Sequence, residues 1–313
     1  MKYIQHIGLK NGMTVGRLVD EMAKSGVLGA GKLAKAVDVM VEMFEDPEYT
    51  VFLSLAGPMV LGGLRKIVSD LVENEYVNVI VTSGANIVHD ILESLGYRGI
   101  KGSFSNSDLR LRGKGLGRVG DIYVEQEGFE ALEKWIFEVL DGLQKIQKER
   151  ISIYQILLEI GKIIEDEESF LKKASIHKTP IFSPGILDSM IGLNLWTYSQ
   201  LKKLRLDPLL DFNRLSDMVF CSKKSGAIIL GGGIPKHHVL GANILREGVD
   251  AAVQVTLDRP EGGSLSGAPL EEAISWKKAR SGKRLVTVIG DATIVFPIMV
   301  AATSERLKEK MGE

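Results

Sequence analysis

Between Gly231 and Arg280 the chain concentrates side chains able to handle protons and amines. Lys236, His237 and His238 follow three glycines, and Glu272, Trp276 and Lys278 come downstream. A lysine amine is inert while protonated, but burial or neighbouring cations lower its pKa and make it a Schiff-base former. Lys278 is therefore either a nucleophile or a solvated lysine near a helix C-terminus, with Lys277 beside it as a rival. Glu272 and Trp276 are spaced to share one helical face. Such a pair could hold a slender polyamine, the carboxylate as countercharge and the indole as an apolar wall attractive to cations. It equally describes a core tryptophan beside a surface glutamate. On an ideal helix Lys278 lies roughly 160° around from Trp276, so a long stem or an early helix end must bring it back. Imidazole exchanges protons near neutral pH, and chemistry alone does not choose between His237 and His238. As a metal site the two histidines are poor, since consecutive helical residues diverge by about 100° and no third ligand is evident.

These residues need a frame. Ala227–Leu230 is a short apolar run that ends in the glycines, and helix formers follow Pro235, which a first helical turn tolerates. Strand, glycine turn and helix is the usual place for an α/β protein to hold an anion or a cofactor. The same rhythm continues with helix Lys236–Arg246, strand Ala251–Leu257, helix Leu270–Arg280, strand Leu285–Ile289 and helix Thr293–Leu307. It also runs earlier, through strand Val51–Gly57, helix Met59–Asn74, strand Val77–Gly84 and helix Ile87–Leu95. Before these, residues 14–45 have a helical pattern broken at GVLGAG. Helices are expected from Gly128 to about Gln147, over Ser152–Ile164 and over Glu168–Ala174. A strand within Thr179–Asp188 and helix Ser189–Leu201 complete the pattern. At least six parallel-type strands and no linker rich in Pro, Gly or Ser predict one α/β domain over residues 1–313, with an N-terminal helical segment of about 1–45. The architecture is a large doubly wound, Rossmann-like, mostly parallel sheet with helices on both faces.

Composition sets outer bounds. The 313 residues are 45% hydrophobic and 25% charged, with a formal net charge of −1, which argues against a nucleic-acid surface over the whole protein. No apolar run reaches the roughly 20 residues a membrane span needs, and MKYIQHIGLKNG lacks a signal peptide's apolar region. Cys221 is the only cysteine, which rules out an intrachain disulfide. A cytoplasmic protein is expected. From Tyr97 to Asp121 the pattern dissolves into Gly, Ser and the basic residues Arg98, Lys101, Arg110, Arg112, Lys114 and Arg118. This is either a solvated loop or a basic lip for an acidic protein or nucleotide. Gly115-x-Gly117-x-x-Gly120 within it is discounted as a dinucleotide fingerprint, because a loop precedes it and a strand pattern follows.

Taken together, GGGIPKHH, SLSGAPLEEAISWKK and GDATIVFP, in that order and spacing, resemble the deoxyhypusine synthase family, as do VTSGAN and FSPGILDS upstream. The similarity runs from about Gly26 onward. It implies an NAD-dependent enzyme that moves the 4-aminobutyl group of spermidine onto a lysine of the translation initiation factor 5A precursor. In the family the lysine matching Lys278 holds that group as an imine, and the histidine matching His237 serves as general base or polyamine contact. Glu272 and Trp276 match the family's polyamine site. Ser83, Gly84, Ala85, Asp188, Gly232, Asp291 and Ala292 match its nucleotide site, although a lone aspartate after a strand is also an ordinary helix cap. The resemblance further implies a homotetramer. The chain departs from the family at four places: Lys277 replaces a usual glycine, and Leu193, Leu265 and His89 stand where relatives carry acids. The polyamine pocket is thus less acidic, which keeps two other readings open: a homospermidine synthase-like transferase with a small amine acceptor, and a catalytically silent regulatory paralogue.

Overall fold

The computed structural model describes residues 3–144, 150–280, 282 and 284–311. Helices α1 (Val15–Ser25) and α2 (Leu28–Glu45) come first, followed by β1 (Tyr49–Leu55), α3 (Arg65–Glu73), β2 (Val79–Thr82) and α4 (Gly84–Ser94). Next come β3 (Ile100–Lys101), α5 (Asp108–Gly113), β4 (Leu116–Val119) and β5 (Ile122–Glu125). Helices α6 (Gln126–Gln144), α7 (Ile153–Ile163) and α8 (Phe170–Ile176) lead to β6 (Ile181–Phe182), α9 (Met190–Leu201) and α10 (Pro208–Cys221). The chain ends with β7 (Lys224–Leu230), α11 (Gly233–Ala242), β8 (Ala251–Thr256), α12 (Glu272–Ser275), β9 (Leu285–Ile289) and α13 (Ala292–Met311). The main sheet has six strands in the order β6-β2-β1-β7-β8-β9, an α/β architecture with the parallel pairing that was expected. No helix among the described residues is long and apolar enough to cross a membrane.

Two compact units divide the chain. The first takes Met1–Leu55, Tyr76–Val79 and Leu215–Glu313. In it β1, β7, β8 and β9 run parallel, with Leu55 beside Leu230, Leu230 beside Val255 and Thr256 beside Ile289. Strands covered on both faces become near-continuous apolar runs, and GAIIL and AAVQVT are buried throughout. Helix α2 lies against β8 and β9 and packs on α1 and α13. Thr14 caps α1, and Gly26 ends it at φ 66°. The break between α1 and α2 is shorter than GVLGAG suggests. A Cβ on Gly31 would stand 2.3 Å from the Gly26 carbonyl carbon, so two glycines let α2 start almost at once.

The second unit takes Ala56–Glu75 and Ile80–Arg214. Here β2 pairs in parallel with β6, and β3-β5-β4 form a small antiparallel sheet. That sheet corrects the structureless reading of Tyr97–Asp121. Gly115 and Gly120, at φ 68° and 62°, flank β4 and turn it into β5, so the nominal glycine fingerprint is a hairpin. Of the six cations in that stretch, Arg118 is ion-paired, to Asp108. The helix expected over Met59–Asn74 is broken at Gly63, φ 92°, into a wide turn and α3. Helix α10 lies where no element was anticipated, and the expected end of α6 near Gln147 falls outside the described residues. A buried ion pair ties helices together in this unit. Arg65 Nε donates to Asp90 Oδ1 (2.6 Å), and Ser169 Oγ and the Leu171 amide reach Asp90 Oδ2.

Candidate active site

The strand order reverses at β1 and β7, and in open α/β sheets ligands collect beyond the carboxyl ends of strands at such a point. The glycine turn leaves β7 there. Gly231 and Gly233 have φ 75° and 56°, conformations that a side chain resists. Gly232 is required for another reason: a Cβ on it would stand 2.3 Å from Ser266 Cα. Helix α11 begins at Gly233, three residues earlier than expected, and no side chain caps it. Its first N–H groups thus remain available to an anion.

Lys236, one turn on, is 1% exposed. Its ammonium donates to Gln254 Oε1 (2.9 Å), the Leu265 carbonyl (2.8 Å) and the Ala268 carbonyl (2.7 Å). Gln254 donates in turn to the carbonyls of Gly231 (2.9 Å) and Ser266 (2.8 Å). Burial pulls the Lys236 amine down to about 8, against the opposing pull of Glu272. Low basicity invites a nucleophilic role, but an amine this buried, with all three protons engaged, cannot reach a substrate. Of the two histidines, His237 is exposed on α11. Burial, reinforced by the charge of its neighbour, pushes His238 down to about 4 and keeps it neutral at pH 7.

The helix expected over Leu270–Arg280 is a single turn, Glu272–Ser275. Trp276 ends it, Lys277 takes φ 56°, and Lys278 bends the chain into a bridge at Ala279. There Ala279 bridges to Val249 in parallel, the Val249 amide donating to the Lys278 carbonyl (3.1 Å). This settles the angular problem by ending the helix. The left-handed step at Lys277 turns the chain so that Lys278 Nζ lies 5.5 Å from the centre of the Trp276 ring. Trp276 is 64% exposed and so is not a core residue. Glu272 is exposed on the same short segment. Asp291 Oδ1 accepts from the Thr293 amide and hydroxyl, both at 2.7 Å, so its carboxylate caps α13, while Ala292 is buried at the first helical position.

The other candidates lie in the second unit. Ser83 is the N-cap residue of α4, but its side chain makes no capping bond. Gly84 is tight, since a Cβ there would stand 2.2 Å from Ser189 Oγ. Ala85 is exposed beside it. Buried Asn86 holds this turn by donating to Thr82 Oγ1 (3.1 Å) and Ser83 Oγ (3.3 Å). Asp188 ends a short 3-10 turn that packs near α4, and its carboxylate is exposed. His89 is buried, which pushes its imidazole down and leaves it uncharged where an acid would carry charge. Leu193 is half exposed, whereas Leu265 serves through its carbonyl, as an acceptor for Lys236. Sequence reasoning missed Gln254, although a lone glutamine inside AAVQVT is the kind of buried polar residue that signals a partner.

Comparison with known proteins supplies the context. A family model described as deoxyhypusine synthase matches residues 17–303. A probable deoxyhypusine synthase of Methanothermobacter thermautotrophicus is 45% identical over 97% of this chain and 98% of its own. One from Methanopyrus kandleri is 44% identical over 92% of this chain and 93% of its own. The crystal structure of a putative deoxyhypusine synthase from Entamoeba histolytica superposes with a TM-score of 0.68 at 22% identity, covering 96% of this chain and 97% of that one, and so shares the fold. A match of that extent to the family model, with archaeal relatives well above 40% identity along nearly the full length, establishes that the chain belongs to the deoxyhypusine synthase family.

Proposed function

We propose that this protein transfers the 4-aminobutyl group of spermidine to a lysine of translation initiation factor 5A, with NAD as cofactor. The observation that carries this reading is Lys278 standing over the face of an exposed Trp276 on a segment that also bears Glu272. Each unit by itself carries groups of the kind a dinucleotide needs. In the first, Gly232 starts a helix that no side chain caps, which leaves N–H donors for phosphate; in the second, Ser83 starts another such helix, and the exposed Asp188 carboxylate suits ribose hydroxyls. Ala85 and Ala292 offer no side chain that would block the approach. Bound by these groups, NAD would supply reversible hydride chemistry, with no net oxidation over the whole reaction.

The chain's own groups do the rest. The indole face and Glu272 hold the polyamine's methylenes and an ammonium. Deprotonated Lys278 attacks the oxidised carbon, the bond to the donor nitrogen breaks, and 1,3-diaminopropane leaves with a proton. His237 is the exposed base that moves protons in these steps. The acceptor lysine then displaces Lys278 from the imine, which frees the enzyme. The homotetramer implied by the family completes this reading.

One test is borohydride trapping of label from spermidine. Label should remain on this protein when NAD is present and acceptor absent, map to Lys278, and vanish in Lys278→Arg, whose guanidinium keeps its proton. Absence of label in the wild-type protein would remove the covalent route. The departures at His89 and Leu193 raise a second reading, in which the acceptor is a small amine. Supplying putrescine and the initiation factor in separate reactions separates the two, because label follows the true acceptor.

A further inference from the structure

We infer that Lys236 is the positioning residue of this site. Its ammonium, with the Gln254 amide, clips the Ser264–Leu270 segment to the glycine turn and so sets where Glu272 and Trp276 stand against Lys278. This rests on the proposed role of Lys278.

Lysine is almost never fully buried unless paired, and among the described residues no carboxylate forms an ion pair with it. Each of its three protons goes to a neutral oxygen: the Gln254 side chain and the carbonyls of Leu265 and Ala268. Gln254 uses its own two protons on Gly231 and Ser266. The pair therefore holds four backbone carbonyls, one from the turn and three from the segment. A methionine of similar length would fill the space without the cost of desolvating a charge, so packing does not explain the lysine. The rest of what holds the segment lies at its ends. Ser264 takes the Gly267 and Ala268 amides, while Leu270 is buried, its amide donating to Thr287 Oγ1 (3.3 Å) and its carbonyl accepting from Ala273. Two glycines let it lie so close: Gly232 under Ser266, and Gly267, whose Cβ would stand 2.1 Å from the Arg259 carbonyl oxygen. Glu272 begins its helical turn two residues beyond Leu270, so a loosened segment shifts Glu272 and Trp276 against Lys278, whose carbonyl stays on the Val249 amide.

The test uses the full-length protein with Lys236→Met and Gln254→Glu. Lys236→Met removes the ammonium at nearly constant shape. Gln254→Glu keeps an acceptor for Lys236 but loses both donors. Hydrogen exchange without ligand should quicken at least tenfold at the amides of residues 265–274 in both variants, while β7, β8 and β9 keep wild-type protection. The rate of borohydride-trappable adduct formation at Lys278 should fall at least a hundredfold. The apparent affinity for NAD should change less than threefold in Lys236→Met, where the Gln254–Gly231 bond survives. Unchanged exchange at 265–274, or equal loss of protection across the strands, would overturn the inference. If Lys236→Met yields no folded protein, the exchange pattern of Gln254→Glu decides alone. If wild-type protein forms no adduct, the reading of Lys278 fails, and the exchange data still decide whether Lys236 positions the segment.

Discussion

At Lys277 the backbone takes φ 56°, a conformation in which a side chain costs roughly 1–2 kcal/mol and glycine nothing. Family members usually have glycine here, and this chain reaches the same turn with lysine. The residue matters through its backbone, since that step brings Lys278 over Trp276. Lys277→Gly should therefore keep adduct formation at Lys278 within about threefold of wild type. Its stability should change by less than about 1 kcal/mol, relief of strain offsetting the greater freedom of the unfolded glycine. Lys277→Val should lower trapping at least tenfold, because a β-branched residue resists a left-handed φ. Equal trapping by the two variants, followed by quantitative peptide mapping, would show that the turn does not aim the nucleophile. Asp291 is the complementary case of a side chain with structural work to do before any ligand arrives. Asp291→Ala should cost about 0.5–2 kcal/mol without NAD, the usual loss of an N-cap, read by urea unfolding. An NAD-induced rise in melting temperature that survives the substitution would restrict Asp291 to capping.

Among the elements, strands were the more legible from sequence. Leu285–Ile289 is the strand that was expected, residue for residue, and six parallel-type strands are present. Strands buried on both faces are written as unbroken apolar runs between turns, which needs no knowledge of partners. The segment from Leu270 to Arg280 misled for the opposite reason. EEAISWKKAR is rich in helix formers, yet tertiary contacts override that preference after one turn. Gly248, φ 104°, comes close enough for its missing Cβ to stand 2.6 Å from the Ala279 nitrogen, and Val249 pairs with Ala279 as a strand would. Neither contact is visible in residues 270–280. The site divided in the same way. Residue type and spacing left Lys278 with Lys277 as a rival and His237 with His238, and only the family resemblance chose between them, whereas the union of Lys236 with Gln254 joins residues on different elements and exists only in the fold. In the second unit the knot that ties α3, α4 and α8 was likewise silent in sequence. Asp90→Asn should cost roughly 3–5 kcal/mol by leaving the Arg65 guanidinium without its buried counterion. A loss below about 1 kcal/mol in denaturant unfolding would mean Asp166, 2.7 Å from Arg65 Nη1, suffices alone.

For the whole molecule, proton uptake links the site to stability. A free imidazole titrates near 6.5, but His238 accepts a proton in the folded state only at about 4. Between these values the unfolded chain binds a proton that the folded chain refuses. Stability from this residue is therefore fully present above about pH 6.5 and is lost as pH falls towards 4, by up to about 3 kcal/mol. The urea midpoint should drop over that interval and drop less in His238→Gln; equal slopes would exclude His238 as the source. A different consequence follows from how the first unit is drawn from both ends of the chain. Strand β1 finds its parallel neighbour β7 only after roughly 170 further residues have been made, which at 5–20 residues per second is on the order of ten to thirty seconds of translation. Helices α1 and α2 wait longer still, since α13 packs on both and Glu305 accepts a hydrogen bond from the Gly16 amide. Each growing polypeptide thus emerges from the ribosome with β2 to cover one edge of the apolar strand YTVFLSL and the edge that β7 will take left open, while Ile80–Arg214 is synthesised behind it. The nascent chain must be shielded through that interval, and a message truncated before Lys224 yields a product with a sticky edge and no partner for it.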